Sequence, residues 1–216
     1  MKTPDKTTEA VKRRYDRYAP FYDLIVGRFP DRWWKLLWSK VEGKKILEVG
    51  VGTGKSFLFY PPDAELTAVD FSTKMLARAR AKAEKHNVHV RLQEMDIENL
   101  KFEDNAFDTV VASLVFCSAP HPVLALMEVK RVCKPGGKVV LLEHVLSQNR
   151  TVAGLMNLFN PLAFWLVGDN INRRTVQDVV DSGLVVEEVT KLGAGIFKLI
   201  EARKNREAVR SPGSKE

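Results

Sequence analysis

The chain has 216 residues, 45% of them hydrophobic, and a net charge of +7, enough for one globular unit with a full core and no need of disulfide or metal staples. Its two cysteines, Cys117 and Cys133, have neither metal-ligand nor disulfide-framework spacing, which excludes a secreted disulfide scaffold and indicates a reducing compartment with buried thiols. No secretory pattern opens the chain and no apolar run reaches the ~18 residues of a membrane span, so the expected location is cytoplasmic, peripheral on the inner membrane face, and the basic excess points to an anionic partner, either nucleic acid or an acidic membrane surface.

Residues 7–40 read as helices broken at Pro20 and Pro30. They belong to an N-terminal segment, 1–42, expected to form a helical lid that faces the membrane. Its "VKRRYDRYAPFYDLIVGRFPDRWWKLLW" mixes basic residues with aromatics and leucines, as helices of the headgroup layer do. "KKILEVG" (44–50) is a short apolar run ending in glycines, a buried parallel strand. "ELTAVD" (65–70) and "VHVRLQEMD" (88–96) read as the second and third strands, with a helix between them capped by Ser72. "FDTVVASLVF" (107–116) reads as a fourth strand, "PVLALMEVKRVC" (122–133) as a helix, and "PGGKVVLLEHV" (135–145) as a turn entering a fifth strand. Helical stretches follow at 151–166 and 174–181, then "LVVEEVTKL" and "GIFKLIEARK" as a closing antiparallel pair. This alternation implies an α/β fold: a Rossmann-like, doubly wound, mostly parallel seven-stranded sheet over residues 43–204, with helices on both faces. Residues 205–216 are polar enough to be a disordered tail.

The glycine-rich "EVGVGTGKSF" after the first strand fits three kinds of cofactor loop unequally. A phosphate loop would need Gly where Val49 stands, so Lys55 and Ser56 read as ordinary helix-start residues. A dinucleotide loop would need its third Gly at Lys55 or Phe57. G-x-G-x-G is met by Gly50, Gly52 and Gly54, a turn whose backbone can approach a ligand without pyrophosphate. Glu48 offers a carboxylate to a cationic amino group, Asp70 ends the second strand where ribose hydroxyls need an acceptor, and Asp96 ends the third, beside an adenine amino group. Those are the needs of S-adenosylmethionine.

Over about residues 43–146 the chain resembles the class I S-adenosylmethionine-dependent methyltransferases, through "ILEVGVGTG", "AVDFSTKML", "QEMDIENL", "FDTVVASLVFCS" and "EVKRVCKPGGKVVLLEH". The resemblance implies that the glycine loop binds the methionine part and Asp70 the ribose. It also implies that Phe71 and Met75 flank adenine, that Asp96 with Ile97 reads its edge, and that Ser113 and Leu114 floor the site. "YDRYAPFYD", "LLEHV", "NPLAFWLVGDNINRRTV" and "GIFKLIEARK" are similar to small bacterial phosphatidylethanolamine N-methyltransferases. The ubiquinone/menaquinone C-methyltransferases share the opening and most of the core, but "FCSAPHP" stands where their Arg-Asn pair follows the fourth strand. The membrane-associated thiol methyltransferases share "LVFCS" and "EHV".

Methyl transfer from a sulfonium needs an in-line nucleophile and a desolvated channel, and no metal is expected. An ethanolamine acceptor must first lose a proton, and Tyr15, Tyr18, Tyr22 and His144 are the candidate bases or orienting groups. Arg173 and Arg174 are candidates to hold a lipid phosphate. His121, between Pro120 and Pro122, reads as a turn residue. The N/D-P-P-Y/F element of base-amine methylases is missing after the fourth strand, so a nucleic acid substrate is not expected. The sequence thus implies a methyltransferase that turns S-adenosyl-L-methionine into S-adenosyl-L-homocysteine on phosphatidylethanolamine, with a quinone or a small lipophilic thiol as the alternative acceptor.

Overall fold

The computed structural model describes residues 6–147, 149–167 and 170–206. Helices α1 (Lys6–Tyr18), α2 (Tyr22–Val26) and α3 (Asp31–Ser39) precede the first strand and are separated where Pro20 and Pro30 fall. Strands β1 (Lys45–Val49), β2 (Glu65–Asp70), β3 (Arg91–Glu94), β4 (Phe107–Ser113) and β5 (Cys133–His144) alternate with helices α4 (Thr73–Lys85) and α5 (Pro122–Val132). After α6 (Arg150–Val167) and α7 (Thr175–Asp181), strands β6 (Val185–Leu192) and β7 (Phe197–Arg203) complete a seven-stranded sheet ordered β3-β2-β1-β4-β5-β7-β6. The β1–β5 pairings are parallel, and β7 runs antiparallel to both β5 and β6.

Both faces of the sheet are covered, which is why β1 is apolar at consecutive positions rather than alternating. Leu47 and Val49 join Val110, Leu141 and the α5 residues Leu126 and Val129 on one side. Ile46, Val111, Val140 and Leu199 pack on the other against Trp33, Trp34, Leu37 and Trp38 of α3. Helix α4 buries Met75, Leu76, Ala79 and Ala83, and its cap is the expected Ser72, whose Oγ accepts from Met75 N–H. Cys117 and Cys133 are both buried.

Three elements differ from the sequence pattern. β3 is shorter than the expected 88–96, because β2 is its one partner in the sheet and Val88 and Val90 pack beneath α4 instead. β4 stops at Ser113, since Leu114 turns the chain with φ +58°. The helix expected to start at Lys55 is a short 3-10 turn, Lys55–Phe59; Pro61 and Pro62 follow at once and disfavour helical geometry before them. Of the expected tail, all but Asn205 and Arg206 lies outside the described residues.

Candidate active site

Parallel strands bring the loops after β1, β2, β3 and β4 to one sheet edge, where open α/β sheets bind ligands. There they enclose a cleft of about 630 Å³ lined by Gly50, Gly52, Asp70, Phe71, Asp96, Ile97 and Leu114, and by Tyr15 and Tyr22 from the N-terminal helices. Nine residues singled out from the sequence therefore meet around one cavity.

Gly50 is required by close approach: a Cβ there would come within 2.4 Å of Val115 Cγ2, and φ is +66°. Gly52 N–H donates to Asp70 Oδ2 at 2.8 Å and Ser72 N–H to Oδ1 at 2.9 Å. A carboxylate has about four acceptor sites, so Asp70 keeps capacity for two hydroxyls while the backbone holds it still. Burial pushes its pKa up to about 6, and backbone bonds from Ser72, Gly52 and Phe71 oppose that rise. Asp96 Oδ1 accepts from Glu98 N–H at 2.9 Å, and burial raises its pKa too. Phe71 and Ile97 supply apolar walls. A nucleoside with a cis-diol fits this set: fixed acceptors at one end, apolar flanks, and a glycine turn without side chains.

The lid is fastened at several points. Asp16 accepts from Ser72 Oγ at 2.6 Å, Asp23 from Thr53 Oγ1 at 2.5 Å, and Lys12 pairs with Glu94 at 2.6 Å. Tyr15 meets Phe71 edge-on with ring centroids 5.8 Å apart. These contacts hold the two cleft-lining tyrosines over the glycine loop and the β2 end.

Other expected residues stand elsewhere. Glu48 shares the face of β1 that carries Ile46, so its carboxylate points toward α3, away from the cleft. Ser56 Oγ lies 2.7 and 2.8 Å from its two oxygens and Tyr60 OH donates to Oε2. Burial raises its pKa to about 7, against those bonds. Met75 is 1% exposed in the α4 core and does not line the cleft. Gly54, with φ +76°, closes onto the Phe57 ring instead of facing the cavity. Ser113 lines a smaller adjoining cavity of about 280 Å³, which shares Tyr22, Gly50 and Leu114 with the cleft.

Tyr18, His144, Arg173 and Arg174 line neither cavity. His144 ends β5 and packs edge-on against Phe197 at 5.0 Å. Burial pushes its pKa below the ordinary imidazole range, a bond with the Ile171 backbone opposing it, and Nδ1 is buried without a hydrogen-bond partner among the described residues. Arg173 Nη2 donates to Ala119 O at 2.7 Å, while Arg174 is exposed before α7. His121 caps the start of α5 and pairs with Glu98 at 3.0 Å, as a turn residue would.

Apart from Leu114, the wall opposite β2 went unread in the sequence. Leu114, Val115, Ser118 and Ala119 line the cleft, and distant groups clamp their loop. Glu143, fully buried at the end of β5, accepts from Val115 N–H at 2.8 Å and Phe116 N–H at 3.2 Å. Asn170 N–H donates to Cys117 O at 2.9 Å. The acid in "LLEHV" was the available signal, an ionisable residue in a run otherwise suited to a buried strand.

A family model described as a methyltransferase domain matches residues 47–141. A phosphatidylethanolamine N-methyltransferase of Cereibacter sphaeroides is 34% identical, across 89% of this chain and 96% of its own. Thiol S-methyltransferase TMT1B of Rattus norvegicus is 35% identical across 62% of this chain, which spans 57% of that enzyme's length. Among solved structures, the cyclase SpnF has the same fold at 19% identity, with a TM-score of 0.76 over 94% of this chain and 97% of its own.

Proposed function

This chain belongs to the class I S-adenosylmethionine-dependent methyltransferases, and from that premise we propose that it passes the donor's methyl group to the amine of phosphatidylethanolamine at the cytoplasmic face of a membrane. The observation that carries this reading is the extent of the similarity to the Cereibacter enzyme, 96% of that protein's length. It runs beyond the donor core into the elements that flank the acceptor side, whereas the thiol enzyme is matched over little more than half.

The surface around those elements supports a lipid acceptor. Phe21 and Leu24 on the lid are 62% and 65% exposed, and Leu155, Leu158 and Phe159 on α6 are exposed as well. Helix α1, which carries exposed Arg13 and Arg17, packs against α6. Apolar side chains bordered by arginines suit an anionic headgroup layer. No helix among the described residues is long and apolar enough to cross a membrane.

In this reading the bound donor supplies an electrophilic methyl group, and the chain supplies position and a dry channel. Gly50 and Gly52 receive the methionine part, Asp70 the ribose, and Phe71, Asp96 and Ile97 the adenine. Tyr15 and Tyr22, on the lid, orient the amine. His144, which lines neither cavity, stands outside this site, and the ammonium proton leaves to solvent before attack. Arg173 and Arg174, just before α7, are the groups proposed to hold the lipid phosphate.

The test supplies methyl-labelled donor with three acceptors in parallel: phosphatidylethanolamine vesicles, demethylmenaquinone in detergent, and an alkyl thiol. Label in the phosphatidylethanolamine fraction is expected. Label in the quinone or thiol arm alone would replace this acceptor.

A further inference from the structure

Helix α6 reverses the usual polarity of a surface helix over residues 155–160. Leu155, Leu158 and Phe159 are 52%, 70% and 53% exposed. At about 3.6 residues per turn these side chains share one stripe, and Asn157 and Asn160 lie about half a turn away from it. A helix facing water shows the opposite arrangement, with polar residues outward and apolar residues toward the core. Arg150 at the start of α6 is exposed, as are Arg13 and Arg17 on α1, which packs against α6. An apolar stripe among arginines suits the boundary of an anionic membrane.

The asparagine side fastens α6 to residues 170–172. Asn160 Oδ1 accepts from Ile171 N–H at 2.8 Å, its Nδ2 donates to Asn170 Oδ1 at 3.3 Å, and Asn157 Oδ1 accepts from Asn172 Nδ2 at 3.0 Å. The same segment grips the loop after β4. Asn170 N–H and Nδ2 both donate to Cys117 O, at 2.9 and 3.4 Å, and Arg173 Nη2 donates to Ala119 O at 2.7 Å. Ser118 and Ala119 of that loop line the cleft with Asp70 and Asp96. The loop begins at Leu114, whose φ of +58° is uncommon for a residue with a Cβ and persists only where the surroundings fix it. Glu143 fixes one side of the loop, and the asparagine chain from α6 fixes the other.

We propose that Asn160 and Asn170 are positioning residues that tie the outward stripe of α6 to the cleft wall, so that docking on an anionic membrane and donor binding strengthen each other. Burial of the stripe restrains α6, and a restrained α6 orders the loop before the donor arrives. The coupling rests on the membrane-facing reading of this surface and needs no particular methyl acceptor.

Calorimetric titration of the full chain with S-adenosyl-L-homocysteine, with and without vesicles of phosphatidylglycerol and phosphatidylcholine, tests it. Neither lipid offers an amine that can be methylated. Vesicles are expected to tighten the ligand about fivefold, and by linkage the ligand should raise vesicle binding by the same factor in co-sedimentation. Asn160→Ala leaves the stripe intact, so vesicles should still bind, but the gain in ligand affinity should vanish. Should that variant fail to fold, Asn170→Ala, which keeps the backbone bond to Cys117 O, takes its place. Bound vesicles without any gain in the wild type, or an equal gain in the variant, would overturn the coupling while the membrane reading stands. Vesicles that do not bind at all would remove both.

Discussion

Replacing Asp70 by Asn should lower donor affinity without lowering stability. Asp70 is 6% exposed, and burial raises its pKa from 3.8 to about 6. The folded chain therefore binds this proton more tightly than the unfolded chain does. The resulting stabilisation is complete below pH 3.8 and is lost as the pH rises through about 6, a difference of ~3 kcal/mol. At pH 7.5 the wild type carries that cost and Asn does not. Asn keeps one of the two backbone bonds from Gly52 and Ser72, while its amide NH2 faces the other N–H and strands a buried donor at ~1–3 kcal/mol. The free variant should thus match or exceed the wild type by up to ~2 kcal/mol, read from denaturant unfolding. Donor affinity should fall by ~1.5–3 kcal/mol, about 10- to 150-fold, because ribose hydroxyls lose a charged acceptor. Calorimetry with S-adenosyl-L-homocysteine measures this, and wild-type affinity should also decline as pH drops through about 6 while that of Asp70→Asn stays flat. Unchanged affinity in Asp70→Asn would refute the reasoning.

Other outcomes follow from the same geometry. Glu48→Gln should raise stability above pH 7, where the buried carboxylate is ionised, and change S-adenosyl-L-homocysteine affinity little; a loss comparable to that of Asp70→Asn would mean that Glu48 meets the donor directly. Asp16→Ala and Asp23→Ala each remove one part-buried latch worth ~0.5–1.5 kcal/mol, so stopped-flow release of the donor should quicken a few-fold with only a small drop in melting temperature. Glu143→Gln keeps an acceptor for Val115 and Phe116 N–H, whereas Glu143→Asp falls short and strands them at ~1–3 kcal/mol. Thermal unfolding should therefore rank Gln close to wild type and Asp below it, and the reverse order would show that charge matters there instead of reach.

The parts of the fold legible in the sequence were those written in local pattern. β2 matches "ELTAVD" residue for residue, Ser72 caps α4, and β6 and β7 form the expected antiparallel pair. Asp70 and Asp96 were legible because a strand end fixes where a following acid must sit. The partners of Glu48 were not legible, because Ser56 and Tyr60, from the turn that follows, meet its oxygens only once strand parity has turned it toward α3. Nothing local marks the turn at Leu114 either, since neither Gly nor Asn stands there to signal φ +58°. Its support comes from Glu143, 28 residues from Val115, and such pairs become visible only when the sheet has formed.

The acceptor assignment is tested most directly by fragment mass spectrometry of phosphatidylethanolamine vesicles incubated with the protein and S-adenosyl-L-methionine. The account predicts headgroup ions heavier by one methyl, carried on nitrogen. Unmodified headgroups, while a quinone or thiol in the same mixture gains the methyl, would contradict it.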